Sequence, residues 1–332
     1  MLNLEKDEVE SFAAINDYVS EVKSKISVTA AATFIIHNDC IVNEWYSGVH
    51  DNFKNSRSVD AESRFNVASV RKTFLGFSIS AALQQRKIKS LDDLVIDYLN
   101  DLDNEVLDRT TIRHLLTHTH GLKSLDSRCF LQGTNWKYNN VGVNLLIEIT
   151  QNLYKMPLAQ FIEEHICLPM GFKQTGWCKD QNDKLVWLNE QYANDHGTEA
   201  NLFMSARELA YWGYVHLNRG VIDGKQILAE EIFKQTTSII SPADLKHELP
   251  RNGFFWFVQD EPRSSTELGH KLPSGSFQSL GSTGCACLVI PKYNTVAVRM
   301  YNQNGPNPKG YDYLKDIKTF GNLVCECIEE YK

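Results

Sequence analysis

Strand-forming patterns stand at the two ends of this chain, and helical spacing fills the long stretch between them. Near the start, ATFIIHNDCIVNEWYSG (residues 32–48) reads as two β-rich runs around Asn38-Asp39, a pair suited to a tight hairpin. After Pro250 the pattern returns to period two in FFWFVQ, CACLVI and TVAVRMY. Between about 90 and 245 the spacing is mostly helical, broken by loops such as HTHGLKS and GTNWKYNN. Two amphipathic helices bracket the strands. Residues 5–26 carry Val9, Phe12, Ala13, Ile15 or Asn16, Val19 and Val22 on one stripe, and about 311–331 carry Leu314, Ile317, Phe320, Val324 and Ile328. Strands so separated close most economically as one antiparallel sheet built from both ends of the chain and flanked by the terminal helices. The predicted class is therefore α+β. A discontinuous sheet domain (1–75 and 246–332) holds an inserted, mostly helical domain (76–245), and the active site lies between them, where ligand sites concentrate. The 332 residues suit about two domains. A chain of that length buries on the order of 75% of its unfolded surface and needs neither disulfide nor metal to hold a core.

Charge narrows the partners. With 34 basic and 41 acidic residues the net charge is −7, which disfavours a phosphate-binding surface and hence nucleic acid. The first residues lack the basic start and apolar run of an export signal, and no apolar stretch approaches about 18 residues, so a cytoplasmic protein without a membrane span is expected. In that compartment the eight cysteines are expected as free, buried thiols. Neither C-x-C pair has the C-x-x-C spacing of a zinc or redox site, and Cys285 and Cys287 would share one strand face. The partner that fits is a small molecule, bound by a monomer or small homo-oligomer.

Several chemistries are excluded by missing motifs. G-x-S-x-G, G-x-x-x-x-G-K-[ST] and G-x-G-x-x-G do not occur. His114 and His118 stand four apart, but Leu115 follows His114 where H-E-x-x-H needs glutamate, so helix-end and loop-capping roles are favoured over metal. Neither a metal nor a cofactor is expected.

A candidate nucleophile remains. SVRKTFLGFSISAALQQR, from Ser69, is apolar on nearly every face beyond its first turn and reads as a buried helix. Ser69 and Lys72, at i and i+3, share a face. A serine hydroxyl needs a base, and lysine serves only if burial lowers its pKa toward neutrality. Ser69 at a helix start also gains a backbone N–H for a developing oxyanion. Locally, nucleophile and simple N-cap are equally open. The second S-x-x-K, Ser20–Lys23, lies on a charged amphipathic helix and reads as solvated face. Tyr138-Asn139-Asn140 sits in a Gly/Asn-rich loop feeding a helix. Beside a lysine ammonium, Tyr138 would lose its proton more readily, and Asn140 offers an amide to a substrate carbonyl. Y-x-N recurs at Tyr98–Asn100 and Tyr192–Asn194.

FNVASVRKTFLGFSISAALQQRKIKSLDDLVIDYL resembles the nucleophile segment of the serine β-lactamase/penicillin-binding-protein superfamily, in its class C β-lactamase-like branch of esterases, D-peptidases and nylon-oligomer hydrolases. TIRHLLTHTHGL, the Tyr138 loop, FIEEHICLPMGFKQTGW and NLFMSARELAYWG follow in that branch's order, across roughly residues 30–300. The resemblance implies the two-part fold, an acylated Ser69, and general-base work shared by Lys72 and Tyr138. It also implies a third motif, K-T-G or H-x-G, and here the sequence departs, since neither occurs. Counting back from Pro291 aligns Ser279-Leu280-Gly281 with H-x-G, whereas Ser282-Thr283-Gly284 mimics K-T-G. The first register is preferred, with Ser279 projecting into the cleft, Leu280 facing away and the Ser282 N–H as second oxyanion donor. Either register lacks the cation that would grip a substrate carboxylate. The expected activity is hydrolysis of an ester or amide, including D-amino-acid or peptide-like substrates, through acyl-Ser69. An acyltransferase using the same acyl-enzyme, or an idle binding protein on the same fold, is the alternative. Trp136, Trp177, Trp212 and Trp256 are expected in core or seam packing and Arg71 at the surface or between domains. Tyr192 is a further candidate for the cleft.

Overall fold

The computed structural model describes residues 4–7, 9–99 and 105–331; Asn100 of the Tyr98 motif lies outside them. In chain order the strands are β1 (Glu5–Lys6), β2 (Ala30–His37), β3 (Cys40–Gly48), β4 (Arg64–Asn66), β5 (Leu122–Ser124), β6 (Ser127–Arg128), β7 (Thr175–Trp177), β8 (Leu185–Val186), β9 (Leu202–Met204), β10 (Val221–Ile222), β11 (Lys225–Gln226), β12 (Phe257–Val258), β13 (Phe277–Leu280), β14 (Ala286–Ile290) and β15 (Thr295–Tyr301). The helices are α1 (Ala13–Lys25), α2 (Lys72–Gln84), α3 (Ile112–Leu116), α4 (Asn140–Tyr154), α5 (Leu158–Ile162), α6 (Leu168–Met170), α7 (Ala206–Leu217), α8 (Glu230–Thr236) and α9 (Tyr313–Glu330).

Among the described residues the larger sheet runs β1-β3-β2-β15-β14-β13-β12, so strands from both ends of the chain do join. Asn38 (φ 50°) and Asp39 (φ 63°) are both left-handed, as the tight β2–β3 turn requires. Pairing is antiparallel except at the edge, where β1 runs parallel to β3. That edge corrects the expected start of the first helix. Residues 5–7 hydrogen-bond to β3, Asp7 N donating to Ile41 O at 2.9 Å, and α1 follows a 3₁₀ turn at Glu10–Phe12.

Both faces of the sheet are covered, which explains why every residue of β2 is buried. On one face Ile15, Val19 and Val22 of α1 and Ile317, Phe320 and Val324 of α9 pack against Ala31, Ile35, Leu288 and Ala297. On the other, α7 lies over β14, β15 and β2, and the core continues into α2 and α4. Residues Lys72–Ala82 of α2 are all buried, as the apolar pattern predicts. Phe74 stacks on Trp212 with ring centroids 4.3 Å apart, and the indole donates to Thr73 Oγ1 at 2.9 Å. On the α9 face a buried ion pair crosses the layers: Arg299 Nη1 and Nη2 donate to Asp316 Oδ1 (2.9 Å) and Oδ2 (2.6 Å). The hydroxyls of Tyr18 (2.7 Å) and Tyr311 (2.6 Å) donate to the same carboxylate.

Three expectations change. The middle of the chain is not purely helical, because β7, β9, β4 and β8 form a second sheet of strands two or three residues long, too short for period two to register. FFWFVQ yields strand only at Phe257–Val258; Phe254, Phe255 and Trp256 are a buried aromatic loop with Phe255 left-handed (φ 63°). The cysteines are free, but Cys129 is exposed and Cys40 and Cys178 are half-buried rather than core.

Candidate active site

The segment that carries Ser69 enters from β4 through a strained turn. Asn66 Oδ1 accepts the Ala68 N–H at 2.7 Å, and Ala68 takes a left-handed φ of 45°, uncommon for a residue with a Cβ. Ala68–Arg71 then form a 3₁₀ turn before α2 begins. In a 3₁₀ turn residues three apart eclipse, which aligns Ser69 with Lys72 more closely than an α-helix would. Lys72 Nζ donates to Ser69 Oγ at 2.8 Å, and Ser69 Oγ meets Tyr138 Oη at 2.6 Å. Lys72 also donates to Tyr138 Oη, closing a triangle. Ser69 is therefore no N-cap: that position is Val67, and the serine hydroxyl faces the cleft groups. In the other S-x-x-K pair, Lys23 Nζ is directed to Ser47 Oγ at 3.5 Å.

Burial, reinforced by the Arg71 guanidinium, holds the Lys72 amine well below the ordinary lysine range. A neutral amine can accept the serine proton. Tyr138 goes the other way. Burial raises its phenol against the opposing pull of the Ser69 hydrogen bond and Arg71. The expectation of a readily deprotonated tyrosine is thus reversed, because the lysine that would have supplied the ammonium is itself driven toward neutrality. Tyr138 keeps its proton and bridges serine and lysine. Tyr138 is 41% exposed, and its ring packs at a tilt against His118 with centroids 4.6 Å apart. His118 is buried and pushed well below its ordinary pKa, mainly by burial and also by Lys72, so it is a neutral support. His114 closes a capping box with Thr111. Asn139 caps α4 through Val141 N at 2.7 Å, leaving Asn140 exposed at the helix start on the cleft wall.

The cleft, about 530 Å³, is lined by Ser69, Tyr138, Asn140, Phe257, Glu267, Leu280, Gly281, Ser282, Gly284, Gln303, Gly305, Pro306, Asn307, Tyr311 and Tyr313. The third motif is a hairpin turn: Gly284 N donates to Gly281 O at 2.9 Å, with Ser282 exposed at the tip. Ser279 does not project into the cleft. It is 2% exposed and pairs opposite Cys287 on the side of buried Phe277, whereas Leu280, expected to face away, lines the cleft. Gly281 lies so close to the nucleophile turn that a Cβ there would stand 2.4 Å from Val67 O. Thr283 Oγ1 donates to Asn66 O at 2.8 Å, and Cys285 Sγ contacts the same oxygen at 3.5 Å.

Tyr192 also lies outside the cleft lining. It packs edge-on against Trp187, and its hydroxyl accepts from Asn66 Nδ2 at 2.6 Å, so it supports the turn rather than the substrate. Arg71 is not at the surface. It is 6% exposed, and its Nε has no partner among the described residues. Burial rules out the surface half of the expectation, since the turn that carries Arg71 is 3₁₀ rather than α-helical. Sequence reading also missed Asn66, whose place two residues before Ala68 is an Asx-turn signal, and Glu267, which stands in a stretch without periodicity.

An antiparallel sheet covered by helices, with serine, lysine and tyrosine converging at one cleft, is the serine β-lactamase fold. A class C β-lactamase structure matches at TM-score 0.74 and 16% identity over 96% of each chain. EstCE1, described as a hydrolase with promiscuous acyltransferase activity, matches at 0.75 and 15% identity over 94% of this chain and 99% of that one. The chain belongs to the Beta-lactamase family, whose model matches residues 15–317. An uncharacterized protein of Alkalihalophilus pseudofirmus is 41% identical over 340 residues, 98% of this chain and 99% of its own. Among the described residues no helix is long and apolar enough to cross a membrane.

Proposed function

We propose that this protein is a serine hydrolase that cleaves an ester or amide through an acyl-Ser69 intermediate. The observation that carries the proposal is the contact of Ser69 Oγ with both Lys72 Nζ (2.8 Å) and Tyr138 Oη (2.6 Å) at the cleft. Ser69 Oγ attacks the carbonyl carbon while neutral Lys72 takes its proton. The oxyanion is assigned to the backbone N–H groups of Ser69 and Ser282, and Asn140 orients the acyl group. Tyr138 passes the proton from Lys72 to the departing alkoxide or amine. Water then attacks acyl-Ser69 by the same proton path in reverse, releasing the acid and free serine. No step requires a metal or cofactor.

The likeness to EstCE1 favours a second reading in which an alcohol or amine replaces water as acceptor. Product analysis with an added alcohol separates the two. The nucleophile is tested by intact mass after a fluorophosphonate probe. Ser69→Ala should abolish labelling and Ser20→Ala should not; labelling that survives Ser69→Ala would sink the assignment.

A further inference from the structure

The described residues that line the cleft offer the substrate one carboxylate, while the Lys72 amine is taken up by Ser69 and Tyr138. Glu267 lines the same cavity as Ser69, Tyr138 and Asn140, and no lysine or arginine stands among the described lining residues. Its Oε2 is closed off from solvent and has no hydrogen-bond partner among the described residues. The carboxyl is held in place by its surroundings. Thr266 and Leu268 on either side are both buried at 2%, and Gln278 Nε2 donates to the Glu267 carbonyl at 3.2 Å. Lys318 is the cation that acts on it, and that amine is committed to Ser264 O at 2.7 Å. Around the carboxyl stand the phenols of Tyr138 and Tyr313, both pushed up in part by its charge.

Glu267 is the one carboxylate among the described lining residues, short of donors inside the protein, so a cationic group bound in the cleft meets an opposite charge there. A substrate carboxylate brought to the same place meets like charge, and the cation that acts on Glu267, Lys318, is committed to Ser264 O. The geometry points to an ester or amide that bears an ammonium group, seated against Glu267 while its carbonyl lies at Ser69. This rests on the acyl-Ser69 proposal for the reacting end and adds the substrate class. Burial lifts the Glu267 carboxyl to about 7, against the smaller opposing pulls of its own backbone N–H and of Lys318.

The test uses three matched 4-nitroanilides at pH 8 (β-alanyl, propionyl and succinyl) that differ only in ammonium, hydrogen or carboxylate at one end. The wild-type kcat/KM should favour β-alanyl over propionyl by about tenfold or more, the range of a charge-assisted hydrogen bond, with succinyl last. Glu267→Gln should bring the β-alanyl to propionyl ratio near one, and Glu267→Asp, which keeps the charge, should retain the order. A wild-type ratio near one, or a ratio unchanged in Glu267→Gln, overturns the inference. Calorimetric binding of the same anilides to Ser69→Ala reads the preference without turnover. Tighter β-alanyl binding with no labelling of Ser69 in the wild type would sink the acyl-enzyme proposal alone. Labelling with equal binding of all three would sink the ammonium inference alone.

Discussion

Gly281→Ala is a sharp probe of how the two halves of the site are fitted together. The added Cβ would stand 2.4 Å from Val67 O, the oxygen that accepts the Val70 N–H and so holds the turn bearing Ser69. The obstacle is backbone, so no side chain can swing aside. Relieving the overlap takes about 0.8 Å of relative movement between hairpin and turn, and misplacing reacting groups by about 1 Å costs roughly a hundredfold in rate. The expected loss is therefore ~10² in the rate of fluorophosphonate acylation, or ~2.7 kcal/mol of transition-state stabilisation. Overpacking should cost about 1–3 kcal/mol of stability as well. The assay is the second-order labelling rate by mass spectrometry, with the urea midpoint measured in parallel. Ser282→Ala, at the exposed turn tip, should change the rate little, because its assigned contribution is a main-chain N–H. A Gly281→Ala protein that labels within about threefold of wild type would refute the reasoning, since clashing backbone cannot be absorbed without moving Ser69.

Tyr138→Phe removes the hydroxyl that bridges Ser69 and Lys72 and should lower the labelling rate roughly 10²–10⁴-fold, with the fold intact by circular dichroism. Asp316→Asn strips the buried Arg299 of its counter-ion and should cost about 3–5 kcal/mol in urea unfolding. The Asp316 carboxyl is held below its ordinary value by Arg299 although burial opposes this, so its contribution is present above the unfolded pKa and fades as pH falls below it. Glu267 has the opposite sign. Its folded pKa of about 7 exceeds the ordinary 4.5, so stability declines as pH rises between those values. Glu267→Gln should then stabilise the protein by roughly 1–3 kcal/mol at pH 8 and leave it little changed at pH 4, read from urea midpoints at the two pH values.

How far the sequence foretold the structure depended on whether a residue's role was local. The Asn38-Asp39 hairpin was legible because consecutive left-handed residues favour those two side chains. The buried α2 was legible because no face of it is polar beyond the first turn. Ser69 could not be told from an N-cap by local pattern, since both precede an apolar helix; the structure puts the N-cap at Val67 and brings Ser69 to Lys72 and Tyr138. The register of S-L-G-S-T-G was illegible because it holds one apolar residue and turns at Gly281, so counting along a straight strand misplaces Ser279 and Leu280. The burial of Arg71, expected at the surface or between domains, was not legible because regular α-helical geometry begins only at Lys72. Glu267 meets Tyr138 through tertiary packing alone, with no signal in its neighbours.

The attachment of the third-motif hairpin to Asn66 decides how a substrate gets in. Thr283 and Cys285 both grip the Asn66 carbonyl, and Gly281 rides against Val67, so the hairpin with Ser282 and the turn with Ser69 are joined as one piece. Widening the entrance by parting those two surfaces would dismantle the catalytic arrangement with every visit. The segment that joins β15 to α9 brings Gln303, Gly305, Pro306, Asn307 and Tyr311 to the same cleft, is tied to the hairpin where Gln303 N donates to Thr283 O at 3.0 Å, and includes two left-handed glycines, Gly305 (φ 100°) and Gly310 (φ 87°). Shortening or lengthening that segment beyond Gln303 should therefore change the size of the cleft while the Thr283 and Cys285 contacts to Asn66 stay in place.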